Sequence, residues 1–596
     1  MFGWAGKVLR VNLDTGRHTS EFLDSKKALN FIGGRGLAVK YLWDEIDPAV
    51  PPLSPENVLI FSSGPLTGTG AVTGSRYMVV TKSPLTNAVA CSNSGGYFGL
   101  GMKSAGYDLI VLEGKAPELV YLLIQDEQVE IRRARHLTGK TTSETERLIR
   151  SELSGGSQGH RIRIASIGPA GEQLAKMACV INDSRAAARS GAGAVMGSKN
   201  LKAIAIRGTG KARIYDMQGL RRTRRIFLKE FRKEQPKDFD FRSLYGTWRF
   251  IPIMLDLRML PTRNFTCGFI EGIPSIEEIR KEILVKKESC FSCPFQCGRE
   301  TRLIGQEFDE NGKGPEYESF VQLGPCCGIT DIRTITKANY LCNELGMDTI
   351  SVGVTIACAM ELYERGHLTE KDAGFPIRFG DKKTLIRLVR MIAARDGIGD
   401  RLAEGSYRFA DRYGHPELSM SVKKQELPAI HPQGYQGGGL AFATSNSGAS
   451  HTRSGLRFET RLETTNQASL MKEDQDFIAV VDSSGLCWCV FGSFGMLRTE
   501  LLRELEFVTG AGYNEHIIMR AGERIFNLER LFNLKAGLTA GDDSLPRRLL
   551  EEPLLDGEAR GQVVRLDEML PEYYRARGWD INGVPTGEKL ESLSLL

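Results

Sequence analysis

Three thiols within eight residues constrain this chain more than any other stretch: Cys290, Cys293 and Cys297 in Glu288-Ser-Cys-Phe-Ser-Cys-Pro-Phe-Gln-Cys-Gly-Arg299. Spacings of two and then three residues suit a curled backbone that points all three sulfurs into one small volume, where thiolates can hold an iron-sulfur cluster. A cubane takes a fourth ligand. Of the twelve cysteines, Cys487 in Asp482-Ser-Ser-Gly485-Leu486-Cys487 is the first candidate, because it sits in a glycine-containing loop after an apolar run. Structural zinc and ordinary buried thiols compete with this reading, although zinc sites more often use paired Cys-x-x-Cys halves or histidines.

A chain of 596 residues is too long for one core, and at about 100 to 200 residues per domain it calls for two to four of them. Charged residues at 25%, hydrophobic ones at 41% and a net charge of +5 describe a globular protein with no demand for nucleic acid. The basic run Arg221-Arg222-Thr-Arg224-Arg225, continued by Lys229, Arg232 and Lys233, falls on an expected helix and suits either an acidic partner or a solvated face. The N-terminus lacks a signal-peptide core and no apolar run is long enough to span a bilayer, so a cytoplasmic location is expected. In such a reducing compartment sparse, grouped thiols suit metal binding better than a disulfide framework.

Leu9, Val11 and Leu13 alternate with Arg10 and Asn12 before Asp14-Thr15-Gly16, which predicts a hairpin over 7–22. Strand signals follow at 58–61, 77–80, 109–112, 120–124, 161–164 and 203–206, separated by glycine-rich loops. A sheet-rich domain ending near residue 210 is expected. Ser275-Ile-Glu-Glu278 has the form of a capping box. Helical spacing at 333–346, 348–365, 382–395 and 397–413 predicts a helical domain over 211–415. Helices at 468–482, 499–508 and 513–536 predict a second one over 416–596. The intervening stretch 427–454, rich in Gly, Pro and Ser, reads as a functional loop or boundary. No tandem repeat is visible.

Two short stretches echo each other: Asn343-Glu-Leu-Gly346-Met347-Asp348 and Asp482-Ser-Ser-Gly485-Leu486-Cys487. Both follow helices, and their polar oxygens and close-approach glycines suit a grip on two copies of one heterocyclic ligand. Two glycine-terminated helices are the plainer explanation. Gly74-Ser75-Arg76, Ser92-Asn93-Ser94-Gly95-Gly96 ahead of a helix over 97–105, and Gly33-Gly-Arg35-Gly36 offer phosphate-binding turns. Neither a Walker loop nor Rossmann glycine spacing is present. Ser184-Arg185-Ala186-Ala187 reads as a close-packed loop. Glu316 and Glu318 in Gly-Pro-Glu-Tyr-Glu-Ser319, and His451 in Ser447-Gly-Ala-Ser-His-Thr-Arg453, are the acid-base candidates.

Together these residues resemble the aldehyde:ferredoxin oxidoreductase family, from Gly-Trp-Ala-Gly-Lys7 to Tyr573-Tyr-Arg-Ala-Arg-Gly-Trp-Asp580. The resemblance implies an α+β fold: a sheet-rich N-terminal domain whose two β-sheets form a cofactor base, then two mainly helical domains. It implies a tungsten, or molybdenum, bis-pterin cofactor, a [4Fe-4S] cluster on Cys290, Cys293, Cys297 and Cys487, and magnesium bridging the pterin phosphates. Asp482, Gly485 and Leu486 would hold one pterin; Asn343, Gly346, Met347 and Asp348 the other, with Asn343 standing where an aspartate is expected. Arg76 is similar in context to the arginine between cluster and pterin, and Arg453 joins the cofactor-binding set. Asn93 and Ala186 match the positions whose backbone carbonyls hold the magnesium, flanked by Gly95 and Arg185. Glu318 and His451 look like the side chains facing the substrate, with Glu316 the competing carboxylate.

The implied activity is oxidation of an aldehyde to a carboxylic acid, with ferredoxin or a small iron-sulfur subunit as acceptor, in a homodimer or a complex with electron-transfer subunits. Pro428-Ala-Ile-His431-Pro432 departs from the run expected in relatives and bears on the pocket lining. Two alternatives stand beside this reading: the catalytic subunit of a tungsten-dependent benzoyl-CoA type reductase, and a non-catalytic, metal-stabilised electron-transfer or interaction protein.

Overall fold

A computed structural model describes residues 1–153, 162–234, 236–455, 457–489 and 498–596. The expected hairpin is present, β1 (Lys7–Asn12) pairing antiparallel with β2 (Arg17–Phe22) across Asn12↔Arg17. It opens a six-stranded sheet with β3 (Leu59–Ser63), β4 (Tyr77–Lys82), β5 (Val89–Ser94) and β6 (Leu109–Glu113) in the order β2-β1-β6-β3-β4-β5. A second sheet takes β7 (Val120–Gln125), β8 (Gln128–Arg133), β9 (Arg163–Ser166), β10 (Val180–Asn182), β11 (Arg185–Ala187) and β12 (Leu201–Arg207) in the order β11-β10-β9-β12-β7-β8. Residue 161 of the strand expected over 161–164 lies outside the described residues.

Advancing every strand of the first sheet by six reproduces the second. The correspondence includes the one parallel neighbour pair, β1-β6 in one sheet and β7-β12 in the other. The N-terminal region is therefore two copies of one six-strand unit, which corrects the expectation of no repeat. The repetition lies in pairing order, and only fragments such as Ser-Ser-Gly64-Pro65 and Ser-Ile-Gly168-Pro169 mark it in the sequence.

Alternation along the strands lets the two sheets share a core. Leu9, Phe61 and Val79 of the first sheet and Leu122, Ile124, Ile204 and Ile206 of the second are buried together. Ile60, Met78 and Val80 point the other way, onto helices that include Gln467–Ser484, Arg498–Thr509 and Glu515–Lys535. The C-terminal residues thus cover the N-terminal sheet.

The helices expected over 333–346, 348–365 and 382–395 form as Ile332–Leu345, Thr349–Glu364 and Lys382–Ala394. The capping box at Ser275 forms as well. The expected helix 397–413 is two, Ile398–Leu402 and Ser406–Asp411, broken at Gly405, whose φ of 90° no helix accepts. A third sheet of β13 (Leu284–Glu288), β14 (Gly298–Leu303) and β15 (Glu310–Lys313) brackets the cysteine triplet inside the helical part. The stretch 427–454 contains a fully buried helix, Gln436–Thr444, and so is not simply a loop. One hydrophobic core runs from Ala170 to Trp579, across residue 415. Among the described residues no helix is long and apolar enough to cross a membrane.

Candidate functional site

Both sheets and the helical half enclose a cavity of about 360 Å³. The triplet curls over one side of it, with Ser292 and Gln296 in the left-handed region and Cys293 N donating to Cys290 O at 3.2 Å. Cys290, Cys297 and, from the far end of the chain, Cys487 line the cavity. Cys293 does not line it but packs with Val72, Phe295 and Cys487, and burial together with Cys297, Cys290 and Cys487 pushes its thiol up. Cys487 N donates to Thr73 Oγ1 at 3.2 Å, which holds its loop against the first sheet. Among the described residues no three His, Cys, Asp or Glu side chains close on a point as one ion requires. The thiols stand around a volume, which suits a polynuclear group better than zinc.

Cys489 lies beside Cys487 on the cavity wall. Its hydrogen bond and the Arg76 guanidinium lower the Cys487 pKa, while Cys489 is pushed up. Burial pushes the Cys297 thiol up to about 12, with Glu316 adding to the effect.

Arg76 joins the thiols to the second echoing loop. Its Nη2 donates to Cys487 Sγ at 2.8 Å and its Nη1 to Asn93 Oδ1 at 3.2 Å; Asn93 Nδ2 in turn donates to Asp482 Oδ1 at 2.8 Å. Asp482 also accepts from Arg453 at 2.5 Å and Arg35 at 3.4 Å. Both echoing loops end a helix in a left-handed glycine, Gly346 at φ 75° and Gly485 at φ 87°, so the plainer reading is true of the backbone. Both nevertheless face the same cavity through Asn343, Met347 and Asp348 on one side and Asp482 and Cys487 on the other. Gly346, Gly485 and Leu486 do not line it. A Cβ on Gly485 would lie 2.1 Å from Thr67 Oγ1 and one on Gly346 2.6 Å from Gly168 N, so the two glycines press on the loops that follow β3 and β9. Leu486 is buried in the core beneath the first sheet.

Asn93 ends one repeat at β5, and Arg185 and Ala186 lie in the matching β11; all three line the cavity with Gly95. Ser92 to Ser94 are strand, so the expected glycine-rich turn shrinks to Gly95-Gly96 before the helix Phe98–Ser104. A Cβ on Gly95 would stand 2.8 Å from Cys290 Sγ. Gly33 and Gly36 offer no phosphate turn: the Arg35 side chain is buried and binds Glu529 at 2.6 and 2.7 Å.

Glu316 and Glu318 flank Tyr317 at the start of the helix Tyr317–Leu323 and diverge. Glu316 lies 3.5 Å from Arg185 and accepts from Thr247 Oγ1, on the thiol side. Glu318 accepts from Ala429 N at 2.8 Å and lies 3.6 Å from His451 Nδ1. Burial pushes the Glu318 carboxyl up to about 7, against the pull of the Ala429 amide and Arg189. Burial and Arg189 hold the His451 imidazole down to about 3. At neutral pH the pair is a neutral imidazole beside a carboxyl near half ionisation, so it is not a salt bridge. His431, from the departing Pro428–Pro432 run, is buried against Phe265 O at 3.2 Å, and Ile430 faces the cavity.

Arg189 and Trp488 were not singled out from the sequence. Arg189 reaches Asp348 at 3.3 Å and Ala449 O at 2.9 Å; Trp488 meets the His451 ring edge-on at 6.2 Å. Arg189 lies one turn of sequence past Arg185 in a run of alanines, where only its charge could have drawn notice. The wall also holds buried polar atoms without protein partners: Arg76 Nε, Arg189 Nε, Arg299 Nε, Arg453 Nε and His451 Nδ1. Five arginines line the volume, Arg76, Arg185, Arg189, Arg299 and Arg453, and four of them, all but Arg185, carry an unpartnered Nε, which fits a large anionic group.

Residues 8–208 match the family model described as the N-terminal domain of aldehyde ferredoxin oxidoreductase, and residues 224–595 match its domains 2 and 3. The chain belongs to the aldehyde ferredoxin oxidoreductase family. It is 46% identical over 613 residues to a tungsten-containing aldehyde ferredoxin oxidoreductase of Pyrococcus furiosus, and 45% over 611 residues to one of Thermococcus kodakarensis. Both alignments cover 100% of this chain and 99% of the relative. A solved chain from the active-site complex BamBC of benzoyl coenzyme A reductase, bound to 1,5-dienoyl-CoA, superposes with a TM-score of 0.85 at 26% identity, over 100% of this chain and 97% of that one. The α+β architecture expected of an aldehyde ferredoxin oxidoreductase, sheets first and helices after, is the one observed.

Proposed function

We propose that this protein oxidises aldehydes to carboxylic acids, with a tungsten bis-pterin and a [4Fe-4S] cluster as resident cofactors and ferredoxin or a small iron-sulfur subunit as electron acceptor. The observation that carries the reading is the Arg76 bridge: one guanidinium touches Cys487 and, through Asn93, reaches Asp482 of an echoing loop.

Cys290, Cys293, Cys297 and Cys487 hold the cluster. Asp482 would hold one pterin and Asn343, Met347 and Asp348 the other, while Gly485, Leu486 and Gly346 would act through their loops, which they seat against the N-terminal half. The backbone carbonyls of Asn93 and Ala186, on the matching strands, would hold magnesium, with Gly95 and Arg185 flanking the same region and Arg453 among the cofactor-binding residues. The bis-pterin metal, when bound, supplies the two-electron acceptor and Lewis-acid chemistry. His451, neutral because it is buried, donates a hydrogen bond to the aldehyde oxygen as charge develops there. Glu318, with a pKa near the operating pH, accepts the proton from water or from the hydrated aldehyde. The overall change is RCHO + H2O → RCOOH + 2H⁺ + 2e⁻.

The likeness to the benzoyl-CoA reductase complex supports a second reading, reduction of an aromatic acyl-CoA, but at 26% against 46% identity it ranks below aldehyde oxidation. Anaerobically purified protein decides between them. Tungsten, iron and pterin fluorescence with viologen-coupled oxidation of aldehydes are expected; benzoyl-CoA turnover without aldehyde turnover would replace the reading. Zinc alone, without pterin, would leave a non-catalytic protein, and molybdenum in place of tungsten shows in the same metal analysis. The oligomer, a homodimer or a complex with electron-transfer subunits, is read from light scattering, and the division near residues 210 and 415 from limited proteolysis.

A further inference from the structure

The helix Met217–Glu234 takes no part in the site described above. Residues 217–229 carry five cationic side chains, Arg221, Arg222, Arg224, Arg225 and Lys229, and no acidic one. Arg221, Arg222, Arg225 and Lys229 are exposed, at three- and four-residue intervals that place them on one face. Apolar side chains stand among or beside them: Ile226 is 43% exposed, Met217 39% and Tyr215 60%. A merely solvated face has no use for that combination, whereas an apolar centre with a charged rim is how transient protein interfaces are built.

The inner face of the helix meets the thiols. Phe227 packs on the cluster of Val72, Phe295 and Cys487, alongside Cys293. Arg224 donates to Gly70 O at 3.4 Å, the carbonyl that Ser292 of the triplet also reaches, at 3.0 Å. Cys293, the triplet thiol that does not line the cavity, packs on the same small apolar cluster as Phe227 of this helix. With a whole-chain charge of only +5, the cationic face is a local concentration placed over the thiols.

We propose that this face is the docking surface for an acidic one-electron carrier protein of the ferredoxin class, an inference that rests on the redox reading above. Each aldehyde oxidised releases two electrons, so two oxidised carriers must dock and leave as reduced carriers in each turnover. That exchange suits a small, electrostatically steered interface. Acidic carriers are drawn to the arginines, and the exposed apolar residues seat them.

The test is the triple variant Arg221→Glu, Arg222→Glu, Arg225→Glu in the holoenzyme. At low ionic strength, calorimetric Kd and steady-state KM for a small acidic [4Fe-4S] ferredoxin should both rise at least about tenfold and lose most of their salt dependence. The rate with benzyl viologen should stay unchanged. An unaltered Kd overturns the proposal whatever the dye rate. Failure of the wild type to oxidise aldehydes with the dye would instead remove the functional reading, and the Kd would still decide the surface. Should the triple variant lose iron or melt early, Arg221→Gln and Arg225→Gln separately carry the test: each should raise Kd about twofold or more, and no change in either overturns the proposal.

Discussion

Glu318 should set the acid limb of the pH-rate profile. Its carboxyl rises from an ordinary 4.5 to about 7, chiefly through burial. At about 1.4 kcal/mol per unit, the cavity penalises the charged form by roughly 3 kcal/mol. A proton acceptor is competent only when ionised, so the rate rises as pH rises through 7. About one Glu318 in ten is ionised at pH 6 and nine in ten at pH 8, so kcat/KM should change about tenfold between them. Glu318→Gln should lower kcat by roughly a hundredfold or more, keep tungsten and iron, and abolish the limb. His451 stays neutral over this range, so His451→Ala should lower kcat by about a hundredfold and leave the limb in place. Glu316→Gln, facing Arg185 instead, should also keep the limb. Rates are best measured with benzyl viologen, so that carrier docking does not enter. A limb near pH 7 that survives in Glu318→Gln would refute the assignment.

Gly95→Ala sets a methyl 2.8 Å from Cys290 Sγ and should reduce iron content by half or more, with the protein still folded by circular dichroism. Cys297→Ser should lose iron before tungsten, measured on the same preparations. Glu504, in the helix Arg498–Thr509, is pushed up to about 8 by burial while it accepts from Val72 N at 2.9 Å. Because its folded pKa lies above the ordinary 4.5, its stabilising contribution is complete below 4.5 and is lost as pH rises through 8. Glu504→Gln should therefore show a smaller fall in melting temperature between pH 6 and pH 9 than the wild type.

What was legible in the sequence was local. The thiol spacing at 290–297, the hairpin at 7–22 and the glycines ending two helices are short-range patterns, and all appear where expected. Cys487, Arg76 and Asn93 stood out by their loops, but the resemblance gave them their roles, which depend on neighbours hundreds of positions away. Arg189 and Trp488 remained hidden for the same physical reason: both act through contacts distant in sequence, Arg189 to Asp348 and Ala449 and Trp488 to His451, that no spacing encodes. Arg35 misled because glycines around an arginine look alike whether the side chain meets a phosphate or a buried Glu529. The third sheet went unseen because β13 and β15 have no buried residue and β14, though mostly buried, carries a single apolar side chain, Leu303, so no apolar alternation marks it.

The repeated sheets explain why the two glycine loops face one cavity. In each repeat the third strand runs into Gly-Pro, Gly64-Pro65 after β3 and Gly168-Pro169 shortly after β9. A Cβ on Gly64 would stand 2.2 Å from the Ser484 carbonyl carbon, and one on Gly168 2.3 Å from that of Leu345. Each sheet thus seats the end of one C-terminal helix at an equivalent place, and the cavity lies between the two seats. Equivalent backbones carry unequal charges, however. Asp482 is buried among Arg35, Arg453 and Asn93, whereas the matching Asn343 is neutral, half-buried and bonded to Lys313 O at 3.1 Å. An amine held at Asp482 meets an anion already compensated by two guanidinium groups, and one held at Asn343 meets only an amide dipole. The repeat therefore supplies symmetric positions, and side-chain differences between Asn343 and Asp482 distinguish the two sides, with the thiols beside Asp482 alone.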